Sequence, residues 1–576
     1  MGSTQKAVIR GLTRRDLLGT GAARAVATAE PPFDADAFGT VGVFGLDWLL
    51  DPRFTRLLDT LAASPGAVRG VRVFGALSLG RDKVFPTVSA GVWDDPAGAP
   101  DFSRTFLALE ALVRRGLAPF LPLTFFPPAV SPTPTQPSAD WSRWTTLVRT
   151  FLDAVTARFG AAEVARWWFE AWNEPNMPPF WAGSFDQYLD LYRATSAAVA
   201  GRRIRLGGPV LAYVPGEGPA LTERFLHFLA DEPRVQCDFI SLHRKGSWIT
   251  GEGEPELDRL VQAAGDTARA ILRIVPGRAR GMVVVNDEAD MMVGFDRPYP
   301  PRMTHQSTAW LAASLVAHDA LDRAWAPHGI RFRAFSDNAN QQLAQGPFDG
   351  RRMLMTPVSD AVDDLVKLPV FAFYELLRLL GPQRLPAPLA PPGVSALVTA
   401  GPGGMAALFT RYGEGKAEFD WTPPEVPWRR VNVVQFRVDA GHTNPAPGMA
   451  PAALRQAAEL GVAAPVRRGV APGTERITLG PYATALVWIT PAQAGTPAAP
   501  RWIEVRRDAA GTLLRWTPST DPAFYSYEVT RDGAAIAPEP MRAALWVDSA
   551  GSGPARYAVR TVTASGRRSA LAARAG

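Results

Sequence analysis

Between about residues 40 and 340 one theme recurs: a short apolar run rich in Val, Ile and Phe, then a helix-length amphipathic stretch. The apolar runs predict strands at Val41 to Gly45, Gly70 to Phe74, Ala118 to Phe126, Trp167 to Trp172, Ile204 to Val210, Asp238 to His243, Gly281 to Val285 and Phe332 to Phe335. Eight strands alternating with helices over roughly 300 residues predict an α/β chain built on a (β/α)8 TIM barrel, residues 31–385. A doubly wound open sheet is the alternative, but no G-x-G-x-x-G follows the first strand.

After residue 385 the period changes. Pro386 to Pro392 is proline-rich, and short alternating runs follow at Ala396 to Val398, Val431 to Phe436 and Ala485 to Ile489. They predict a β-sandwich over 386–490 beside the barrel. Residues 491–500 are small and proline-rich and read as a linker. The remainder, 501–576, carries Leu513 to Trp516, Tyr525 to Thr530 and Tyr557 to Val562 and reads as a fibronectin type III-like domain.

Composition narrows the function classes. The chain has 576 residues, 47% hydrophobic and 20% charged, an ordinary globular balance. No apolar run is long enough for a spanning helix. The formal net charge of +6 suggests a polyanion partner until it is located: residues 1–30 carry +3 and 501–576 carry +4, leaving 31–500 near −1. A nucleic-acid groove on the main body is therefore not expected. One cysteine, Cys237, excludes an intrachain disulfide and a multi-thiolate zinc site, and its apolar setting predicts a buried, inert thiol. The six histidines show no metal-ligand spacing, so neither metal nor organic cofactor is expected. Thr13-Arg14-Arg15-Asp16-Leu17-Leu18, a weakly apolar stretch broken by Arg24, and Ala27-Thr28-Ala29 are ordered like a twin-arginine export signal, which predicts a periplasmic or extracellular protein, the alternative being a disordered tail on a cytoplasmic one.

The chemistry concentrates in two places. Residues 168–181, WFEAWNEPNMPPFW, run a strand straight into Asn173-Glu174-Pro175, and Asn286-Asp287-Glu288-Ala289-Asp290 ends the seventh predicted strand. In a barrel, carboxylates at the C-terminal ends of strands four and seven face each other across the mouth. Such a pair suits glycosidic hydrolysis, which needs one protonated carboxyl for the leaving oxygen and one ionised carboxylate for the anomeric carbon. The proton-bearing partner requires a raised pKa. Trp172 and Trp181 are expected to wall the site.

These residues carry a family likeness. Phe169-Glu-Ala-Trp-Asn-Glu-Pro-Asn176, with Phe180-Trp181 and Tyr188-Leu-Asp-Leu-Tyr192, resembles the acid/base region of glycoside hydrolase family 39, which includes β-xylosidases and α-L-iduronidases. Asp238-Phe-Ile-Ser-Leu-His-Arg-Lys-Gly246, Asn286 to Asp290 with Val293-Gly294, and Ser336-Asp-Asn-Ala339 with Pro347-Phe-Asp-Gly-Arg351 resemble its iduronidase branch. The resemblance implies Glu174 as acid/base and Glu288 as nucleophile. It also implies a substrate-binding set of Asn173, Lys245, Asp337, Arg351, Arg72, His243 and Gly294. The substrate implied is an oligosaccharide or polysaccharide containing uronic acid, with Lys245 and Arg351 meeting the sugar carboxylate. Two positions depart from the branch: Phe74 replaces a histidine and Phe295 a tryptophan, and phenylalanine cannot donate to a sugar hydroxyl. A β-xylosidase or an endo-acting exopolysaccharide hydrolase is the alternative, and a carbohydrate-binding protein on a catalytically dead barrel a third. The sequence leaves the oligomeric state open.

Overall fold

The computed structural model describes residues 31–64, 68–77, 92–247, 254–294, 298–340, 346–358, 364–493, 495–508, 511–550 and 553–576. The expected export signal in residues 1–30, and Phe295, lie outside them.

Eight parallel strands pair in chain order: β1 (Thr40–Val43), β2 (Gly70–Val73), β3 (Ala118–Pro122), β4 (Trp168–Glu170), β5 (Arg205–Ala212), β6 (Phe239–His243), β7 (Val283–Asn286) and β8 (Arg331–Ala334). The sheet curls into a barrel, and β1 meets the end of β8 where Gly42 N–H donates to the Ser336 carbonyl at 3.2 Å. Gly42 is required there, because a Cβ would stand 2.7 Å from the Asp337 backbone. Each predicted strand is present, most ending one to four residues before the apolar run does.

A helix follows each strand: α1 (Pro52–Ala63), α2 (Ser103–Val113), α3 (Trp141–Phe159), α4 (Phe185–Val199), α5 (Glu217–Asp231), α6 (Leu257–Ile274), α7 (His305–Trp325) and α8 (Pro369–Leu377). Their starts are written in the sequence. Asp51 and Asp140 cap α1 and α3 through their side chains, and Ser184 with Gln187 closes a capping box on α4. On α6 the buried positions Leu260, Ala263, Ala264, Thr267, Ala268 and Ile271 recur at helical spacing and form the face against the barrel. Inside the barrel, Phe120, Phe239, Val285 and Phe335 fill the lumen.

A short hairpin, Met355–Pro357 with Leu365–Lys367, sits between β8 and α8. The chain then enters a seven-stranded antiparallel sheet whose centre is Gly404–Thr410, Thr484–Pro491 and Val431–Val438. A two-stranded sheet, Ala417–Trp421 with Glu475–Leu479, covers one face, enclosing Phe409, Trp421, Val433 and Ile477. This is the sandwich that the sequence predicts. The C-terminal segment forms antiparallel sheets of three and four strands around Leu514, Trp516, Tyr527 and Val559. No helix among the described residues is long and apolar enough to cross a membrane.

Candidate active site

The functional side chains come from the C-terminal ends of the strands. Glu170, His243 and Asn286 are the last residues of β4, β6 and β7, while Asn173, Glu174, Lys245, Asp287, Glu288 and Asp337 sit in the loops that follow. Arg72 reaches them from β2.

The turn after β4 answers why apolar residues run into Asn-Glu-Pro. Trp172 and Glu174 adopt left-handed backbone, at φ 84° and 44°, which non-glycine residues rarely take and which surrounding structure must enforce. The enforcement is visible. The Trp172 ring is fully buried, 4.4 Å from Phe126 and 5.2 Å from Trp181 between centroids, and its Nε1 donates to the Phe180 carbonyl. The Glu174 N–H donates to the Val210 carbonyl at 2.9 Å, and the Asn176 amide exchanges two hydrogen bonds with the Ala212 backbone. Trp172 and Trp181 thus act as the packing that fixes the turn, rather than as the walls expected from sequence.

The loop after β7 is held the same way. The Asn286 side chain exchanges hydrogen bonds with both backbone groups of Arg244, and the Ala289 N–H donates to the Phe335 carbonyl. These bonds bring β6, β7 and β8 to one point and aim Glu288 inward. Gly294, at φ 90°, makes the turn that leads out of this loop.

Arg72 is the hub. Its guanidinium donates to Glu170 Oε2 at 2.9 Å, to Asn173 Oδ1 at 3.0 Å and to Glu288 Oε1 at 3.2 Å, and lies 2.6 Å from Asp287 Oδ2. On the other side Lys245 Nζ donates to Glu288 Oε2 at 2.7 Å and approaches Asp337 Oδ2 at 3.4 Å. His243 stands between the two candidate carboxylates, with Nδ1 2.7 Å from Glu174 Oε1 and 3.5 Å from Glu288 Oε1. One oxygen of Glu174, one ring nitrogen of His243 and one oxygen of Glu288 all lie within 4.8 Å of one another.

Burial and neighbouring charge set the protonation states. Burial pushes Glu288 upward, but His243, Lys245, Arg72 and Arg352 outweigh it and hold the carboxyl well below its usual range. Asp287 is likewise lowered, burial being overcome by Arg72 and His243. Burial pushes His243 down, yet Glu288 and Asp287 raise it to about 10, so the ring is an imidazolium at neutral pH. Glu170 goes the other way: burial, reinforced by Asp287, lifts it to about 8 against the pull of Arg72. The Glu174, His243 and Glu288 atoms converge closely enough to hold a cation, but the charged imidazole and the Lys245 ammonium already bring positive charge to that point.

Of the residues expected from sequence, Arg72, Asn173, Glu174, His243, Lys245, Glu288 and Asp337 converge. Asp337 is buried and accepts from Asn340 and Arg352 as well as Lys245. Arg351 stays outside this network, with its side chain 37% exposed and Nε 3.5 Å from Asp349 Oδ2. Its neighbour Arg352, which sequence reasoning did not select, is buried and bridges Asp337 to Asp290. Arg302 also binds Asp290, at 2.7 Å. Glu170, Asp287 and Asp290 were missed too, although a glutamate inside the apolar strand Trp168-Phe-Glu170 was a readable signal. Phe74 lies against the Arg72 guanidinium, 4.8 Å from ring centroid to Cζ, so the residue that cannot donate a hydrogen bond contributes a cation–π contact instead. Cys237 is half-buried rather than buried as expected, at the N-terminal end of the barrel; its thiol donates to the Phe239 carbonyl at 3.4 Å, and desolvation raises it to about 12.

Comparison with known proteins fits this geometry. The family model described as "Glycosyl hydrolases family 39" matches residues 90–398. The chain belongs to glycosyl hydrolases family 39. Among its relatives, a β-xylosidase of Geobacillus stearothermophilus is 30% identical over 202 residues, covering 31% of this chain and 39% of that protein. The α-L-iduronidase of Homo sapiens is 29% identical over 266 residues, covering 43% of this chain and 40% of that protein. The chain therefore matches about two fifths of the length of these curated relatives. The fold is shared with the crystallographically studied bacterial orthologue of human α-L-iduronidase, at TM-score 0.78 and 22% identity, covering 96% of this chain and 98% of that one. It is shared also with a monomeric β-xylosidase of Caulobacter crescentus, at TM-score 0.62 and 17% identity, covering 82% and 98%.

Proposed function

We propose that this family 39 protein is a retaining glycoside hydrolase that removes a terminal α-L-iduronide, or a closely related uronide, from an oligosaccharide. The observation that carries the reading is the approach of Glu174 and Glu288 to within 4.8 Å around His243. That spacing leaves no room for a water between carboxylate and sugar, and it matches the close pair of retaining enzymes, about 5 to 5.5 Å, rather than the wider pair of inverting ones.

In the first step a Glu288 oxygen bonds to the anomeric carbon as the glycosidic C–O bond breaks, and Glu174 gives its proton to the departing oxygen. In the second, Glu174 takes a proton from water, the water oxygen bonds to the anomeric carbon, and the Glu288 carboxylate leaves. Lys245, Arg72 and His243 keep Glu288 ionised before attack and receive its negative charge again afterwards. Asn173, held by Arg72, is aimed to hydrogen-bond the hydroxyl beside the reacting carbon.

The uronide preference is supported by Lys245 at the pair and by the partly exposed Arg351, a cation not consumed by the buried lattice. A β-xylosidase is the second reading, favoured by Phe74, which offers no hydrogen bond to the sugar. The organisation of residues 1–30 supports export from the cytoplasm.

The deciding experiment measures initial rates on paired aryl α-L-iduronide and aryl β-D-xyloside substrates with wild type and Glu288→Gln. Preference for the iduronide, with turnover lost by at least about a thousandfold in Glu288→Gln, is the expected result. Full turnover in that variant overturns the mechanism, and faster cleavage of the xyloside overturns the uronide assignment.

A further inference from the structure

The opposite end of the barrel holds a second cavity, of about 480 Å³, at the N-terminal ends of β4, β5, β7 and β8. Its size falls within the range of small-molecule sites. Five arginines line it, Arg205, Arg278, Arg280, Arg331 and Arg333, against two acids, Asp34 and Asp238.

The acids do not neutralise them. Asp238 Oδ2 accepts from the Leu206 N–H at 2.9 Å and Gln236 Nε2 at 2.7 Å, both neutral donors, and Asp34 Oδ1 caps the Asp36 N–H at 3.0 Å. Among the arginines, only Arg331 has a carboxylate within ion-pair distance among the described residues, Asp322 at 2.8 Å. Arg278 donates to the carbonyls of Val235 and Glu232, and Arg333 to that of Asp36, contacts that orient a guanidinium without cancelling its charge. Arg205 and Arg333 both rest on the Trp168 ring, with Cζ 5.1 and 4.9 Å from its centroid. Burial pushes Arg333 below the usual guanidinium range, and Arg205 and Arg331 add to that push against Asp34 and Asp36. Four of the five arginines thus reach a formed cavity with no carboxylate at ion-pair distance among the described residues, and an aromatic ring fixes two of them.

We propose that this cavity is a binding site for a doubly charged tetrahedral oxyanion, phosphate or sulfate, free or as the ester of a small molecule. The planar forks of Arg205 and Arg333, pre-set on Trp168, offer bidentate donors to its oxygens, and the exposed Arg280 closes the rim. The Phe120, Phe239, Val285 and Phe335 plug fills the lumen between this site and the catalytic end, so occupancy does not require the glycosidase reading.

The test is isothermal titration of the full chain with sodium phosphate, sodium sulfate and glucose 6-phosphate, against sodium chloride at equal ionic strength. Wild type, Arg205→Ala, Arg280→Ala and Lys245→Ala are compared. Expected are saturable binding of the divalent anions and roughly tenfold weaker binding in each of the two arginine variants, as for one lost charge-assisted hydrogen bond. Lys245→Ala leaves the affinity unchanged. Tighter binding of glucose 6-phosphate identifies an ester as the ligand, and tighter binding of the inorganic ions identifies the free anion. Heats no different from chloride, wild-type affinity retained in both arginine variants, or loss of binding in Lys245→Ala overturns the proposal. Unchanged aryl-glycoside turnover or thermal transition in the arginine variants shows that they are folded.

Discussion

Lys245 places its ammonium 2.7 Å from Glu288 Oε2 and 3.4 Å from Asp337 Oδ2, so one cation serves a candidate nucleophile and a buried acid together. Lys245→Ala should therefore act twice. It should lower kcat/KM for the uronide by about a hundredfold while costing the xyloside less, because a desolvated carboxylate loses its partner. It should also move the acidic limb of the pH–rate profile to higher pH, because a cation that depresses Glu288 is gone. An equal loss on both substrates would remove Lys245 from carboxylate recognition.

Arg351 and Arg352 are neighbours in sequence and opposites in structure. Arg352→Ala removes the buried cation shared by Asp337 and Asp290, leaving them only Lys245 and Arg302, and should destabilise the fold by about 3 kcal/mol. Arg351→Ala should leave the thermal transition nearly unmoved and raise KM for the uronide alone. Denaturant titration and paired kinetics separate the two, and a stable Arg352→Ala protein would contradict the clamp.

Stability should depend on pH through two groups whose folded pKa is raised. His243 titrates near 10 folded against 6.5 for the free side chain, and Glu170 near 8 against 4.5. In both the native state holds the proton more tightly. The His243 contribution is complete below about pH 6.5 and lost as pH rises through 10, and that of Glu170 is complete below about 4.5 and lost through 8. The melting temperature should fall on the alkaline side, and Glu170→Gln, which mimics the protonated acid, should flatten the lower part of that fall. A curve for Glu170→Gln parallel to wild type would show that Glu170 is ionised when folded.

Phe74 touches Arg72 through its ring face. Phe74→Leu keeps most of the volume and removes a buried cation–π contact, worth about 2 kcal/mol, so turnover should fall by roughly thirtyfold with little change in KM. A change in KM alone would place Phe74 against the sugar rather than behind the arginine.

The barrel was legible because each β/α unit carries its own period and turn chemistry: fully apolar strands, then a helix face such as that of α6. The meeting of Glu174 and Glu288 at the barrel mouth was legible because Asn173-Glu174 and Asp287-Glu288 interrupt apolar runs at strand ends. The charge lattice was not. Arg72 meets Glu170, Asp287 and Glu288 across separations of 98 residues or more, and nothing local in Gly-Val-Arg-Val announces that convergence. The Arg351-Arg352 pair shows the same limit, since adjacent identical residues differ only in which way the turn at Gly350, φ 82°, points them. The tryptophans near Glu174 were read as walls because their chemistry suits sugars, whereas the left-handed turn needed them as ballast.

Helix α1 belongs to two assemblies at once. Its Asp59 meets Arg115 from the barrel and Arg515 from the C-terminal sheets, each at 2.8 Å, and the Ala63 carbonyl accepts the Ala544 N–H at 2.7 Å. Ala63 itself packs in the core of those sheets. The last 76 residues are therefore not a removable tail that recombination could trade for another accessory. The first helix of the barrel shares its ion pair and its last buried turn with Arg515 and Ala544, so deleting residues 501–576 should leave Asp59 with Arg115 alone, uncover Ala63 and lower the melting temperature.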